Sequence, residues 1–182
     1  MGGFFVALGE ILTNSNVVFY IIAYLVGGIP FGLFLTKVFY KIDIRTIGSG
    51  SIGATNVYRA IKEINPKSAK ILALSTIILD ACKGMFVVFA AKLYGLSFDA
   101  QWLIALLSIL GHCYSPFLCF HGGKGVATAI GSTILLIPIE GALGLVVWGF
   151  VGKVLKISSL SSLFGVLSGI ILTFIIPLVL PI

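Results

Sequence analysis

The chain has 182 residues, 59% of them hydrophobic and 10% charged, with a mean hydropathy of +1.17 and a net charge of +6. Such a composition lies far outside that of a soluble domain and defines a polytopic integral membrane protein, all-α, in which the cations serve topology before any nucleic acid. At about 20 residues per crossing, the length accommodates about six helices in one compact bundle, read as a single domain over 1–182.

In chain order, residues 1–12 form a short apolar lead-in without the basic n-region or small-residue cleavage site of a secretory signal. Spans are predicted at Val17–Tyr40, Ile71–Tyr94, Gln101–Phe120, Val126–Ile137, Ile139–Leu155 and Leu160–Leu180. Lys41, Arg45, Arg59, Lys62, Lys67 and Lys70 fall in the single long loop between the first two spans, so that loop is expected in the cytoplasm and the N-terminus outside. Alternation then brings 121–125 and 153–159 to the same face and leaves Lys92 as a snorkelling exception near an outer end. The fourth segment is short for a crossing. It is expected to start below the surface and recess the loop before it.

Two glycine-rich loops share that face: Gly48-Ser-Gly-Ser-Ile-Gly-Ala-Thr-Asn56 and His121-Gly-Gly-Lys-Gly-Val-Ala-Thr128. Glycine lets backbone N–H groups converge on an anion, and a neighbouring cation adds charge, so a phosphorylated ligand is expected at a membrane face. Gly48-x-Gly50-x-x-Gly53 matches a dinucleotide pattern, but no strand precedes it, and a phosphate or carboxylate nest with Ser49, Ser51, Thr55, Asn56 and Arg59 fits better; the bland alternative is an interfacial loop with a helix cap. The second loop is no P-loop, because Gly125 stands where a magnesium-binding serine or threonine belongs. Lys124 at the mouth of a helix N-terminus still combines a point charge with a positive dipole end.

His112, His121, Cys113 and Cys119 match no common zinc spacing, so no metal or other cofactor is expected, and the three cysteines read as free buried thiols. Asp80 and Lys83, three residues apart inside a span, read as a mutually paired or pocket-facing couple that supports the structure. The Ser158-Ser-Leu-Ser-Ser162 run opens the last span as a cap on the same face as the loops.

The strings Gly48-Ser-Gly-Ser-Ile-Gly-Ala-Thr-Asn-Val-Tyr-Arg59 and Gly111-His-x-Tyr-x-x-Phe-x-x-Phe-x-Gly-Gly-Lys-Gly-Val-Ala-Thr128 resemble the first two motifs of the bacterial membrane-embedded acyl-phosphate:glycerol-3-phosphate acyltransferases. The likeness extends to Gly27-Gly-Ile-Pro-Phe-Gly32 and to the Leu79-Asp-x-x-Lys-Gly84 stretch. It implies transfer of a fatty acyl group from acyl phosphate to glycerol 3-phosphate, forming lysophosphatidate and phosphate in the bacterial inner membrane. By carry-over, Ser49, Arg59, Lys124 and Ser162 are expected to bind phosphate, with Gly50, Asn56, Gly122 and Gly123 around them. His112 and Lys124 are the candidate catalytic residues. The proton of the attacking hydroxyl goes either to His112 or to the acceptor's own phosphate. A soluble acyl-phosphate-producing enzyme is an admissible partner on the basic loop.

Three departures stand out: Ser51 replaces a common asparagine, His121 replaces a common lysine, and the family's third motif, a histidine-asparagine pair on a further C-terminal helix, has no counterpart before Ile182. A membrane phosphate carrier and an inactive truncated homologue are the alternatives. The soluble-type His-x4-Asp acyltransferase pair is absent at both His112 and His121.

Overall fold

The computed structural model describes residues 13–179, with side chains to residue 176, so the lead-in over 1–12 and the end of the last predicted span fall outside the described residues. Two compact units meet at residues 132 and 133. Each unit has its own packing.

The first unit contains α1 (Ser15–Gly28), α2 (Phe31–Tyr40), α3 (Ala54–Ile61), α4 (Pro66–Leu93), α5 (Phe98–Cys113) and the start of α6 (Val126–Thr133). Single 3-10 turns lie at Ile44–Thr46 and Pro116–Leu118. The first predicted span is broken in two. Pro30 has no N–H and forces Ile29 into extended backbone, φ −60° and ψ 119°, so the helix stops and restarts inside the apolar segment. A break at that depth frees carbonyls that need donors from neighbouring helices. Ser115 Oγ donates to Gly28 O at 2.6 Å and Lys83 Nζ to Ile29 O at 2.8 Å.

Small residues let the helices approach closely. A side chain at Gly27 would strike the Ser108 backbone on α5, and one at Gly111 the Tyr24 carbonyl on α1. Gly84 and Gly131 likewise join α4 to α6, facing the Thr128 and Ala81 carbonyls. Asn65 caps α4 by accepting from Ser68 N at 3.0 Å, with Pro66 at the first helical position, so α4 begins five residues before the predicted Ile71.

The second unit is the antiparallel pair α7 (Pro138–Leu155) and α8 (Ser158–Val179), joined by a short turn in which Lys156 takes the left-handed conformation, φ 56°. Gly144 and Gly165 bring the backbones together, and Trp148 packs on Gly165.

Five segments, 15–40, 66–93, 98–118, 138–155 and 158–176, are long and apolar enough to cross a membrane. The fourth predicted segment is the exception: α6 has 8 residues, about 12 Å of helix, too short to span on its own. Phe34, Phe39, Phe86, Val146, Phe150 and Phe174 are exposed, as side chains facing lipid are. Cys82 and Cys119 are also exposed and Cys113 half-buried, which corrects the expectation of buried thiols; all three are free.

Candidate acyl-transfer site

The first loop is held from inside by one side chain. Asn56, 1% exposed, donates through Nδ2 to the carbonyls of Ile44, Ile47 and Ser51 at 2.8, 3.0 and 2.9 Å, and its Oδ1 accepts from Ser49 N at 3.2 Å. Positive φ at Gly48 (57°) and Gly50 (69°) lets the backbone wrap around it, and a Cβ at Gly48 would sit 2.5 Å from Asn56 Oδ1.

Three amides of this loop, those of Ser49, Gly50 and Gly53, are internally paired. Gly50 N donates to Ile47 O and Gly53 N to Ser51 Oγ, so the glycines build the turn. Asn56 acts as its internal brace, and its polar atoms are already taken. Ser49, Thr55 and Arg59 are left exposed beside the first-turn amides of α3, whose N-cap Gly53 makes no side-chain cap. No carboxylate pairs with Arg59 among the described residues. Asp43 is instead claimed by Arg45 at 2.6 Å and Lys37 at 3.2 Å. Its hydrogen bond from the Arg45 guanidinium holds the Asp43 carboxyl well below the usual carboxylate range, reinforced by the Arg45 amide and Lys37.

The second loop leaves α5 through Ser115 and Leu118, with Cys119 and Phe120 both left-handed (φ 51° and 64°), and runs to Gly125, φ 73°, ahead of α6. His121 is exposed, its Nδ1 2.8 Å from Cys119 O. Gly123 N donates to His112 O at 3.1 Å, so this amide too is internally paired. Any side chain at Gly122 would strike the His112 carbonyl, and any at Gly123 the His112 imidazole. At Gly122 the obstacle is backbone, so only glycine fits; at Gly123 a methyl group would have to displace the ring. Lys124, exposed and without a carboxylate partner among the described residues, projects from this clamped strand at the entrance to α6.

Both loops stand on one floor. Leu118 packs in the same buried apolar cluster as Ile44 and Ile52 of the first loop and Val57 and Ile61 of α3. Gly32 at the start of α2 lies against the Ile52 carbonyl, which ties the first loop to the helix break.

Below the second loop lies a buried group of ionisable side chains. Lys83 Nζ is 2.8 Å from Asp80 Oδ1 and 3.0 Å from His112 Nδ1, and 5.6 Å from the centre of the Phe31 ring. His112 Nδ1 is 3.6 Å from the same Asp80 oxygen. Asp80 and Lys83 form a close buried ion pair. With Lys83 as an ammonium, His112 Nδ1 is the acceptor and the ring proton resides on Nε2. The pairing expected of Asp80 and Lys83 is thus present. The sequence did not disclose that His112 completes it, because 29 positions separate Lys83 from His112. Ser162 belongs to the second unit, where its Oγ donates to Ser158 O at 2.8 Å; Ser161 beside it is the buried serine of the pair. Among the described residues no group of three or more His, Cys, Asp or Glu side chains is arranged to hold a metal.

The described residues are thus all-helical outside their turns, with two internally braced glycine loops, each carrying an exposed cation that has no carboxylate partner among the described residues. The fold defines the class: a helical integral membrane protein. The family profile described as glycerol-3-phosphate acyltransferase matches residues 17–182, and the chain belongs to that family. It is 67% identical over 170 residues to the glycerol-3-phosphate acyltransferase of Helicobacter hepaticus, covering 93% of this chain and 76% of that one. To that of Wolinella succinogenes it is 54% identical over 165 residues, covering 91% and 79%. The solved structure of PlsY (YgiH), an integral membrane glycerol 3-phosphate acyltransferase, in its glycerol 3-phosphate form, is similar with a TM-score of 0.76 and 34% identity, covering 89% of this chain and 78% of that one.

Proposed function

We propose that the chain transfers a fatty acyl group from acyl phosphate to a hydroxyl of glycerol 3-phosphate at the cytoplasmic face of the inner membrane. The observation that supports this reading is the shared apolar floor, in which Leu118, at the start of the second loop, packs with Ile44 and Ile52 of the first loop and with Val57 of the helix that carries Arg59. Two phosphate-bearing substrates need two anion-binding elements, and an acyl chain needs access from lipid. Ser49 Oγ, Arg59 and Lys124 are the phosphate ligands. Gly50 and Asn56 shape the first loop, and Gly122 and Gly123 shape the second. The resemblance alone supports Ser162 as a further ligand.

In the reaction the acceptor oxygen attacks the acyl carbonyl, and the anhydride C–O bond breaks with its electron pair leaving on phosphate. The hydroxyl proton passes to a phosphate oxygen of the acceptor. His112, buried with Nδ1 committed to Lys83, acts on the loop and not as the base. An acyl phosphate already carries a good leaving group, so orientation and charge neutralisation supply the catalysis.

Membranes containing this chain, given labelled glycerol 3-phosphate, should form lysophosphatidate with palmitoyl phosphate and not with palmitoyl-CoA. Lys124→Ala should lower the rate by about 100-fold or more, the scale on which loss of one charge-stabilising group acts. Product from palmitoyl-CoA alone, or an unaffected Lys124→Ala variant, would overturn the assignment. Phosphate flux in sealed vesicles without acyl transfer would favour a carrier.

A further inference from the structure

We propose that Asp80 and Lys83 are positioning residues of the acyl-transfer site, presetting the Gly122–Lys124 strand through His112. The inference rests on the acyl-transfer reading above.

Lys83 is 4% exposed in the middle of a membrane-spanning helix, where an ion is costly unless it is paired and put to use. If stability alone were at stake, an apolar side chain of similar volume would serve as well as a buried ion pair. Instead the ammonium reaches out of its own helix to two places from which the loops are hung. One is the Ile29 carbonyl at the break before α2, the helix whose Gly32 abuts Ile52 of the first loop. The other is His112 Nδ1. The imidazole so held lies against the Gly123 α-carbon, and the His112 carbonyl accepts from Gly123 N. Lys124 is the next residue. Asp80, 3.6 Å from the ring and 2.8 Å from the ammonium, balances the charge and limits the swing of both. A chain of direct contacts thus runs from Asp80 to Lys83, His112, Gly123 and the cation proposed to grip phosphate.

The test uses the full chain, purified in detergent, with acyl transfer measured for Lys83→Met, Asp80→Asn, Gly123→Ala and the double variant Lys83→Met/Gly123→Ala. Lys83→Met keeps the length of the side chain and removes the charge. It should lower kcat/KM by about 10- to 100-fold, the usual effect of losing an outer-shell partner, while its gel-filtration profile stays that of the parent. Asp80→Asn should act in the same direction. Gly123→Ala inserts a methyl group against the ring that Lys83 holds, so the double variant should be no worse than its poorer single parent.

Wild-type kinetics in Lys83→Met, or losses that multiply in the double variant, would overturn the proposal. So would failure of both Lys83→Met and Asp80→Asn to yield folded protein, because the pair would then be needed by the fold alone. The two readings fail separately. If Lys124→Ala and Arg59→Ala retain full activity, the acyl-transfer site itself is wrong; if they lose it while Lys83→Met does not, only the positioning role falls.

Discussion

Asn56 shows how much one buried amide can determine. Its side chain replaces the ladder that a strand or helix would supply, satisfying three carbonyls and one N–H of a loop that has no regular structure. Asn56→Ala would orphan these groups, and we expect a cost of about 1–3 kcal/mol, read as a lowered thermal midpoint together with loss of acyl transfer. Asp43 makes a different prediction. Its folded-state pKa lies below the unfolded value, so its stabilising effect is whole above the ordinary carboxylate pKa and fades as pH falls through the lower folded value. The thermal midpoint difference between the parent and Asp43→Asn should be constant near neutral pH and shrink only below about pH 4. A difference that instead grows on acidification would refute the ion pairing of Asp43 with Arg45 and Lys37.

At the scale of elements, the decisive features are a break and a short helix. Pro30 interrupts the first span, and the carbonyls it frees become the attachment points for Ser115 and Lys83. Pro30→Ala removes the reason for the break, so α1 and α2 are expected to tend towards one continuous helix, withdrawing Ile29 O from Lys83 and lowering acyl transfer without unfolding the bundle. Circular dichroism and the activity assay check both parts. The 8-residue α6 approaches α4 closely at Gly131 and Gly84. A methyl group at Gly131 would enter the Ala81 backbone, and Gly131→Ala should cost about 1–3 kcal/mol as the helices are forced apart. The need for small residues at this crossing was not legible in the sequence, since glycine is common throughout the chain and period alone does not say which face meets another helix.

At the scale of the whole molecule, Leu118 shares a buried cluster with Ile44 and Ile52, so the long loop and the start of the second glycine loop are expected on one side of the membrane, and the positive-inside rule predicts the cytoplasmic side. Cys119, next in the chain and exposed, reports the side. In a variant whose other cysteines are Cys82→Ala and Cys113→Ala, a membrane-impermeant maleimide should label Cys119 in inverted vesicles and not in intact cells. Labelling from outside would reverse the proposed orientation. The five span-length segments followed directly from hydropathy, whose signal is additive along the chain. The helix break did not, although Gly27-Gly-Ile-Pro30 carries its chemistry, because an apolar average passes over a single missing N–H.

Composition and motif spacing by themselves determined that this is a helical membrane protein, which glycines and cations form its loops, and which family those strings resemble, since all of these are local properties of the chain. Only the tertiary structure decided that the amides of Ser49, Gly50, Gly53 and Gly123 are already paired, that Arg59 and Lys124 stand without a carboxylate partner among the described residues, and that His112 belongs with Asp80 and Lys83. Hydrogen bonds saturate: an amide or an ammonium has a fixed number of partners, and which ones it takes depends on atoms brought together from distant parts of the sequence.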